Sequence, residues 1–234
     1  MRKWHTATEA LNLVDKTMKW VKTVDVDVAV PPNFIITEDD DICKRITALR
    51  PLSFDTELLY VAGKGTLGCK AIQTILTKLF SSCSSITALD CTLFGQVENG
   101  VTTTHIDVIK SALCGICTGK ILIPINCIGN HWCGIMIDME AGKINYYDPM
   151  QSSYTKDVRA LAERIASLLP MPNTERIRVI PYSTDMGIQM DTYNCGVYVL
   201  LAFEMFADPE ASELQQITRK ALAYLRYRYL VLCV

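Results

Sequence analysis

The run GVYVLLAFEMF (196–206) constrains this chain more than any other stretch. A helix at the surface needs a polar stripe, and this run is apolar almost all round, so it is predicted to be a helix at the centre of the core. The rest of the chain has to supply the layers that enclose it.

The preceding residues read as those layers. ILIPIN (121–126), WCGIMIDM (132–139) and KINYYD (143–148) are short β-rich runs separated by GNH and EAG, which predicts an antiparallel meander. TLGCKAIQTILTKLF (66–80) carries apolar residues at 67, 71, 72, 75, 76, 79 and 80, the spacing of a buried helix, closed by the loop SSCSS. Residues 104–116 give a second helix that Gly119 helps to terminate, 154–169 a third, IRVIPY (177–182) one more strand and 211–232 a closing helix. Near the start, Ala7, Leu11, Val14, Met18 and Val21 mark an amphipathic helix over 7–22. Val24 to Phe34 reads as a strand or extended entry segment, and Glu38-Asp39-Asp40-Asp41 as a solvated turn and helix start. There is no internal repeat and no low-complexity linker. The reading is one α+β domain over 51–234, with 1–50 as an N-terminal extension or helical add-on.

Charge narrows the partners. With 23 basic and 25 acidic residues interspersed, the formal charge of −2 offers no phosphate-binding surface, so nucleic acid is not expected as a partner. No apolar run is long enough to span a bilayer, and the start MRKWHTATEALNL lacks the apolar core of a signal peptide. Ten cysteines lie scattered through apolar stretches, which predicts reduced, buried thiols and a cytosolic or nuclear location, in a monomer.

Among the residues able to do chemistry, Cys195 stands out. It follows the polar loop DTYN and opens the apolar helix, where the positive end of the macrodipole and free N–H groups favour a thiolate. Gly196 removes a side chain where substrate would approach. His131 sits in the GNH turn and Asp148 ends KINYY, at corresponding ends of two strands that the EAG turn makes neighbours. A thiol, a histidine and a carboxylate are the parts of an activated cysteine nucleophile. Gln189, six residues before Cys195, offers a neutral amide to an oxyanion.

These segments resemble the Ulp family of SUMO- and ubiquitin-like-specific cysteine peptidases. ILIPINCIGNHWCGIMIDMEAGKINYYDPM is similar to its "I-x-I-P-x-N … HW … D … YYDS" pattern, and GIQMDTYNCGVYVLLAFEMF to its "Q-x5-C-G-x-[FY]" segment, over roughly residues 119–206. Upstream, Leu67, Gly68 and Cys69 stand where the family has Trp, Asn and Asp, and Asn194 where it has an acidic residue before the nucleophile. The resemblance implies a papain-like α+β fold, its core helix starting at the nucleophile beside a central antiparallel or mixed sheet. It implies hydrolysis of peptide or isopeptide bonds after a Gly-Gly-like tail, with a ubiquitin-like modifier or its conjugates as substrate and no cofactor. In these terms Cys195 is nucleophile, His131 base, Asp148 orienter and Gln189 oxyanion donor, while Trp132 covers a narrow channel beside Gly196. Alternatives keep the fold for a YopJ-like acetyltransferase or a silent binding module, give Cys114 and Cys117 a redox role, or bind zinc with Cys114, Cys117, Cys127 and His131. Against zinc, Cys114 and Cys117 end an apolar helix instead of forming a knuckle turn.

Overall fold

The computed structural model describes residues 2–36, 41–49, 54–116, 119–169, 177–208 and 214–234. Its elements in chain order are α1 (Arg2–Val21), α2 (Ile42–Ala48), α3 (Cys69–Phe80), β1 (Ile86–Ala88), β2 (Gln96–Glu98), β3 (Val101–Thr102) and α4 (Ile106–Leu113). Then follow β4 (Lys120–Cys127), β5 (His131–Asp138), β6 (Lys143–Tyr147), α5 (Tyr154–Ala166), β7 (Arg178–Pro181), α6 (Cys195–Ala207) and α7 (Arg219–Cys233).

The three β-rich runs form the predicted meander, β4–β5–β6, with Ile123 opposite Ile135 and Ile137 opposite Ile144. Three parallel pairings extend it, β7 on β6 and both β1 and β2 on β4, and β3 pairs antiparallel with β2, which makes a seven-stranded mixed sheet. Alternation along β5 sends its residues to two cores. Cys133, Ile135 and Ile137 pack with Val158, Leu161 and Ile165 of α5 and Ile109 of α4. Trp132 and Met136 pack on the opposite side with α3, α6 and α7.

The apolar run is enclosed as expected, with ten of the thirteen residues of α6 buried. It lies so close to β5 that a Cβ on Gly134 would sit 2.9 Å from Phe203. Helix α7 is fixed to it by Arg228, which donates to both oxygens of Glu204 at 2.9 and 2.7 Å while Tyr229 donates at 2.7 Å.

Two expectations need correction. Val24–Phe34 is not a strand: Pro32–Phe34 form a short 3₁₀ turn that inserts a fully buried Phe34. Consecutive prolines lack the donors a ladder requires. The last helix starts at Arg219, not near 211, because the Thr218 hydroxyl accepts from Ala221 N and caps it; residues 211–213 lie outside those described. The acidic cluster does give the expected helix start: Asp41 caps α2 by accepting from Lys44 N, whereas Glu38, Asp39 and Asp40 lie outside the described residues.

The N-terminal residues build no core of their own. Phe34, Ile42 and Ile46 belong to the cluster formed by α3, α6 and α7, and the main chain of Phe34 and Ile36 bonds the Tyr224 hydroxyl. No helix among the described residues is long and apolar enough to cross a membrane.

Candidate active site

His131 is the first residue of β5 and not a turn residue, and Asp148 follows the last residue of β6, so the antiparallel register brings both to one end of the sheet. His131 Nε2 lies 2.8 Å from Asp148 Oδ1, with the two residues only 5% and 6% exposed. A carboxylate only accepts, so Nε2 donates and Nδ1 is left for the thiol. Asp148 also accepts from Met150 N, Ser152 N, Ser152 Oγ and Thr155 Oγ1 at 2.8–3.0 Å. Burial alone would raise its pKa, but these donors and His131 hold it well below the usual carboxylate range. Tyr154 stacks on the imidazole with ring centroids 5.3 Å apart.

Cys195 opens α6 and is fully buried. Its thiol lies near enough to His131 to act on the charge of the imidazole. Burial opposes charge on the imidazole, yet the hydrogen bonds to Asp148 and Cys195 and their charges outweigh it and raise His131 to about 9. A histidine that keeps its proton beside a thiol at a helix start is the setting of a thiolate–imidazolium pair.

Gln189 is 2% exposed. Its backbone N–H donates to Pro149 O at 2.9 Å, which ties its loop to the Asp148 turn. Its side-chain nitrogen donates to Asp191 O at 2.7 Å and Asp191 Oδ1 at 3.2 Å, so Asp191 holds the amide, whose buried oxygen has no hydrogen-bond partner. A cleft of about 600 Å³ runs beside this loop, lined by Tyr147, Asp148, Gln151, Tyr182, Thr184 and Ile188.

The two residues expected at the substrate are covered. Trp132 is buried, and its indole N–H donates to Leu67 O at 2.6 Å, clamping the segment before α3. Gly196 departs from the expectation of open space for substrate. A Cβ there would meet Leu67 and Ile72 at 3.1 Å, so its missing side chain lets α6 pack against α3.

Sequence reading missed Ser152, Thr155 and Tyr154, although hydroxyls just after an Asp-Pro are a recognisable turn signal. Cys195 is not alone at a helix start. Cys69 opens α3 in the same way; a hydrogen bond from Cys91 draws it down to about 6, against burial, with help from the Asn126 amide. Among the described residues the zinc grouping is not assembled. Cys114 is exposed, Cys127 is buried in the core under α4 and α5, and Cys117 lies outside the described residues. The metal-capable group among the described residues is His131, Cys133 and Asp148, and burial keeps Cys133 a protonated thiol.

Residues 99–233 match the profile of the Ulp1 protease family, C-terminal catalytic domain. The chain belongs to this family. It is therefore a cysteine-type peptidase with the papain-like α+β fold. Among solved structures it is similar to the SUMO protease Ulp1 with its catalytic cysteine oxidised to a sulfonic acid: 15% identity, TM-score 0.58, over 94% of this chain and 93% of that one. It is also similar to the C-terminal Ulp1 protease domain in complex with Smt3, the yeast ortholog of SUMO: 16% identity, TM-score 0.56, over 76% and 80%. A third likeness is to ChlaDub1 from Chlamydia trachomatis, at 11% identity and TM-score 0.50 over 69% and 88%. No curated protein matches the chain by sequence.

Proposed function

We propose that this peptidase cleaves the peptide or isopeptide bond after the Gly-Gly-like tail of SUMO or another ubiquitin-like modifier. Cys195 is the nucleophile, His131 the acid–base, Asp148 its orienter and Gln189 a donor to the oxyanion. The observation that carries the reading is the buried 2.8 Å His131–Asp148 pair with the Cys195 thiol near enough to raise the imidazole's pKa. In this scheme Cys195 Sγ attacks the glycine carbonyl carbon while His131 holds the thiol proton. Charge on the carbonyl oxygen is met by the Gln189 amide and the N–H groups at the start of α6. The imidazolium protonates the leaving amine, a thioester remains on Cys195, and His131 then takes a proton from the water that hydrolyses it.

The modifier class follows the Ulp1 domain solved with Smt3. Trp132 and Leu67, both buried and joined by the indole bond, back the segment before α3, where Leu67 stands in place of the family tryptophan. Residues 51–234 carry the catalytic unit, with 1–50 as an add-on packed into the same core. The reduced-thiol chemistry suits a cytosolic or nuclear setting.

Hydrolysis of C-terminal fluorogenic derivatives of SUMO and ubiquitin tests the reading. Turnover of at least one, abolished in Cys195→Ala, is expected. Equal turnover by Cys195→Ala contradicts it.

A further inference from the structure

Arg226 heads the fully buried side chains, at 1% exposure in the middle of α7. Its guanidinium donates to Val61 O at 2.7 Å, to Gly65 O, to Tyr193 O at 3.4 Å and to Asn194 Oδ1 at 2.7 Å. Three carbonyls and an amide take four of its five N–H hydrogens, yet among these contacts no carboxylate balances the charge. A buried cation without an anion is costly. Burial lowers its pKa only to about 10, so it stays charged at neutral pH.

The balancing anion lies one side chain further on. Asn194 Nδ2 donates to Asp191 Oδ2 at 2.7 Å, so this amide accepts from the cation at one end and donates to the anion at the other. Asp191 Oδ1 also accepts from Asn194 N at 2.9 Å and Tyr193 N at 3.1 Å, the main chain entering Cys195. The same oxygen and the Asp191 carbonyl hold the Gln189 amide. A carboxylate at 194, the family's usual choice, would face a second carboxylate here. An amide is the side chain that fits between Arg226 and Asp191.

We propose that Arg226 and Asp191, coupled through Asn194, are positioning residues for the hydrolysis. They fix the Gln189 amide and the main chain leading into Cys195. This rests on the catalytic roles proposed above. The Gln189 Nε2 that Asp191 holds must be placed closely to meet a developing charge, and small misplacements there are expensive. Arg226 extends the control further, because Val61 and Gly65 lie in the segment that leads to Leu67.

An exchange of charge and amide tests the coupling. Asp191→Asn and Asn194→Asp each break the donor–acceptor order, and the double variant restores it in mirror image, with the carboxylate now at position 194 and paired directly to Arg226. Steady-state kinetics on a fluorogenic modifier substrate should show each single variant losing roughly 10–100-fold in kcat with KM nearly constant. The double should recover to within about fivefold of wild type, since contacting residues couple non-additively. Alkylation of Cys195 by iodoacetamide should keep its wild-type rate in the singles, because that reaction needs the thiolate and no oxyanion donor. Single variants with wild-type kcat, a loss confined to KM, slowed alkylation, or a double no better than the singles overturns the proposal. Turnover by Cys195→Ala would instead overturn the catalytic reading beneath it.

Discussion

His131 shows how one proton links the site to pH. Its pKa is raised from 6.5 to about 9 in the folded protein, so between those values the native state holds a proton that the unfolded chain has lost. That contribution is complete below pH 6.5 and is lost as pH rises through about 9. The melting temperature should therefore fall over this window, and the fall should be smaller in Asp148→Asn, which loses the anion that holds the proton. Equal slopes in both proteins would show that Asp148 does not set the histidine. Gln189→Ala separates transition-state help from substrate binding: kcat should drop by roughly 10²–10³ with KM nearly unchanged, whereas a loss in KM alone would make Gln189 a substrate contact. Cys69, drawn down to about 6, should be alkylated by iodoacetamide near neutral pH while Cys91 is spared. Peptide mapping checks this, and an unlabelled Cys69 contradicts it. At this scale His131 and Asp148 were legible because a three-residue turn makes their strands neighbours. Asp191, Asn194 and Arg226 were not, since Arg226 reaches the loop from 32 residues away and nothing local marks its direction.

The elements followed the sequence where apolar periodicity was long. β4, β5, β6, α3 and α5 each carry enough residues to declare a period, and α6 declares itself by being apolar all round. β1, β2 and β3 have three, three and two residues, too short to show alternation, and are defined by pairing with β4 and with each other. Gly134 was equally silent in the sequence, yet it sets how near α6 lies to β5. In Gly134→Val the new methyls enter the space of Phe203 and Val199, where a Cβ would already be 2.9 and 3.4 Å away. Overpacking of this kind costs about 1–3 kcal/mol, measurable as a lower urea midpoint. An unchanged midpoint would mean that the helix yields freely.

Across the whole molecule, the opening residues are structural partners of the catalytic layers. Phe34 is fully buried among α3, α6 and α7 side chains, so Phe34→Ala should cost about 3–5 kcal/mol, read from denaturant unfolding. A loss under about 1 kcal/mol would show that the N-terminal residues sit loosely on the fold. The sequence left these residues apart because contacts between Phe34 and Tyr224 span 190 positions, beyond any local pattern. The central claim is that this assembly presents Cys195 to the tail of a ubiquitin-like modifier. The most direct measurement is reaction of the wild-type protein with SUMO and ubiquitin carrying a C-terminal electrophile, followed by peptide mapping of the adduct. A covalent adduct on Cys195 with at least one modifier, absent in His131→Ala, is the predicted result. No adduct with either modifier, or an adduct carried by another cysteine, would contradict it.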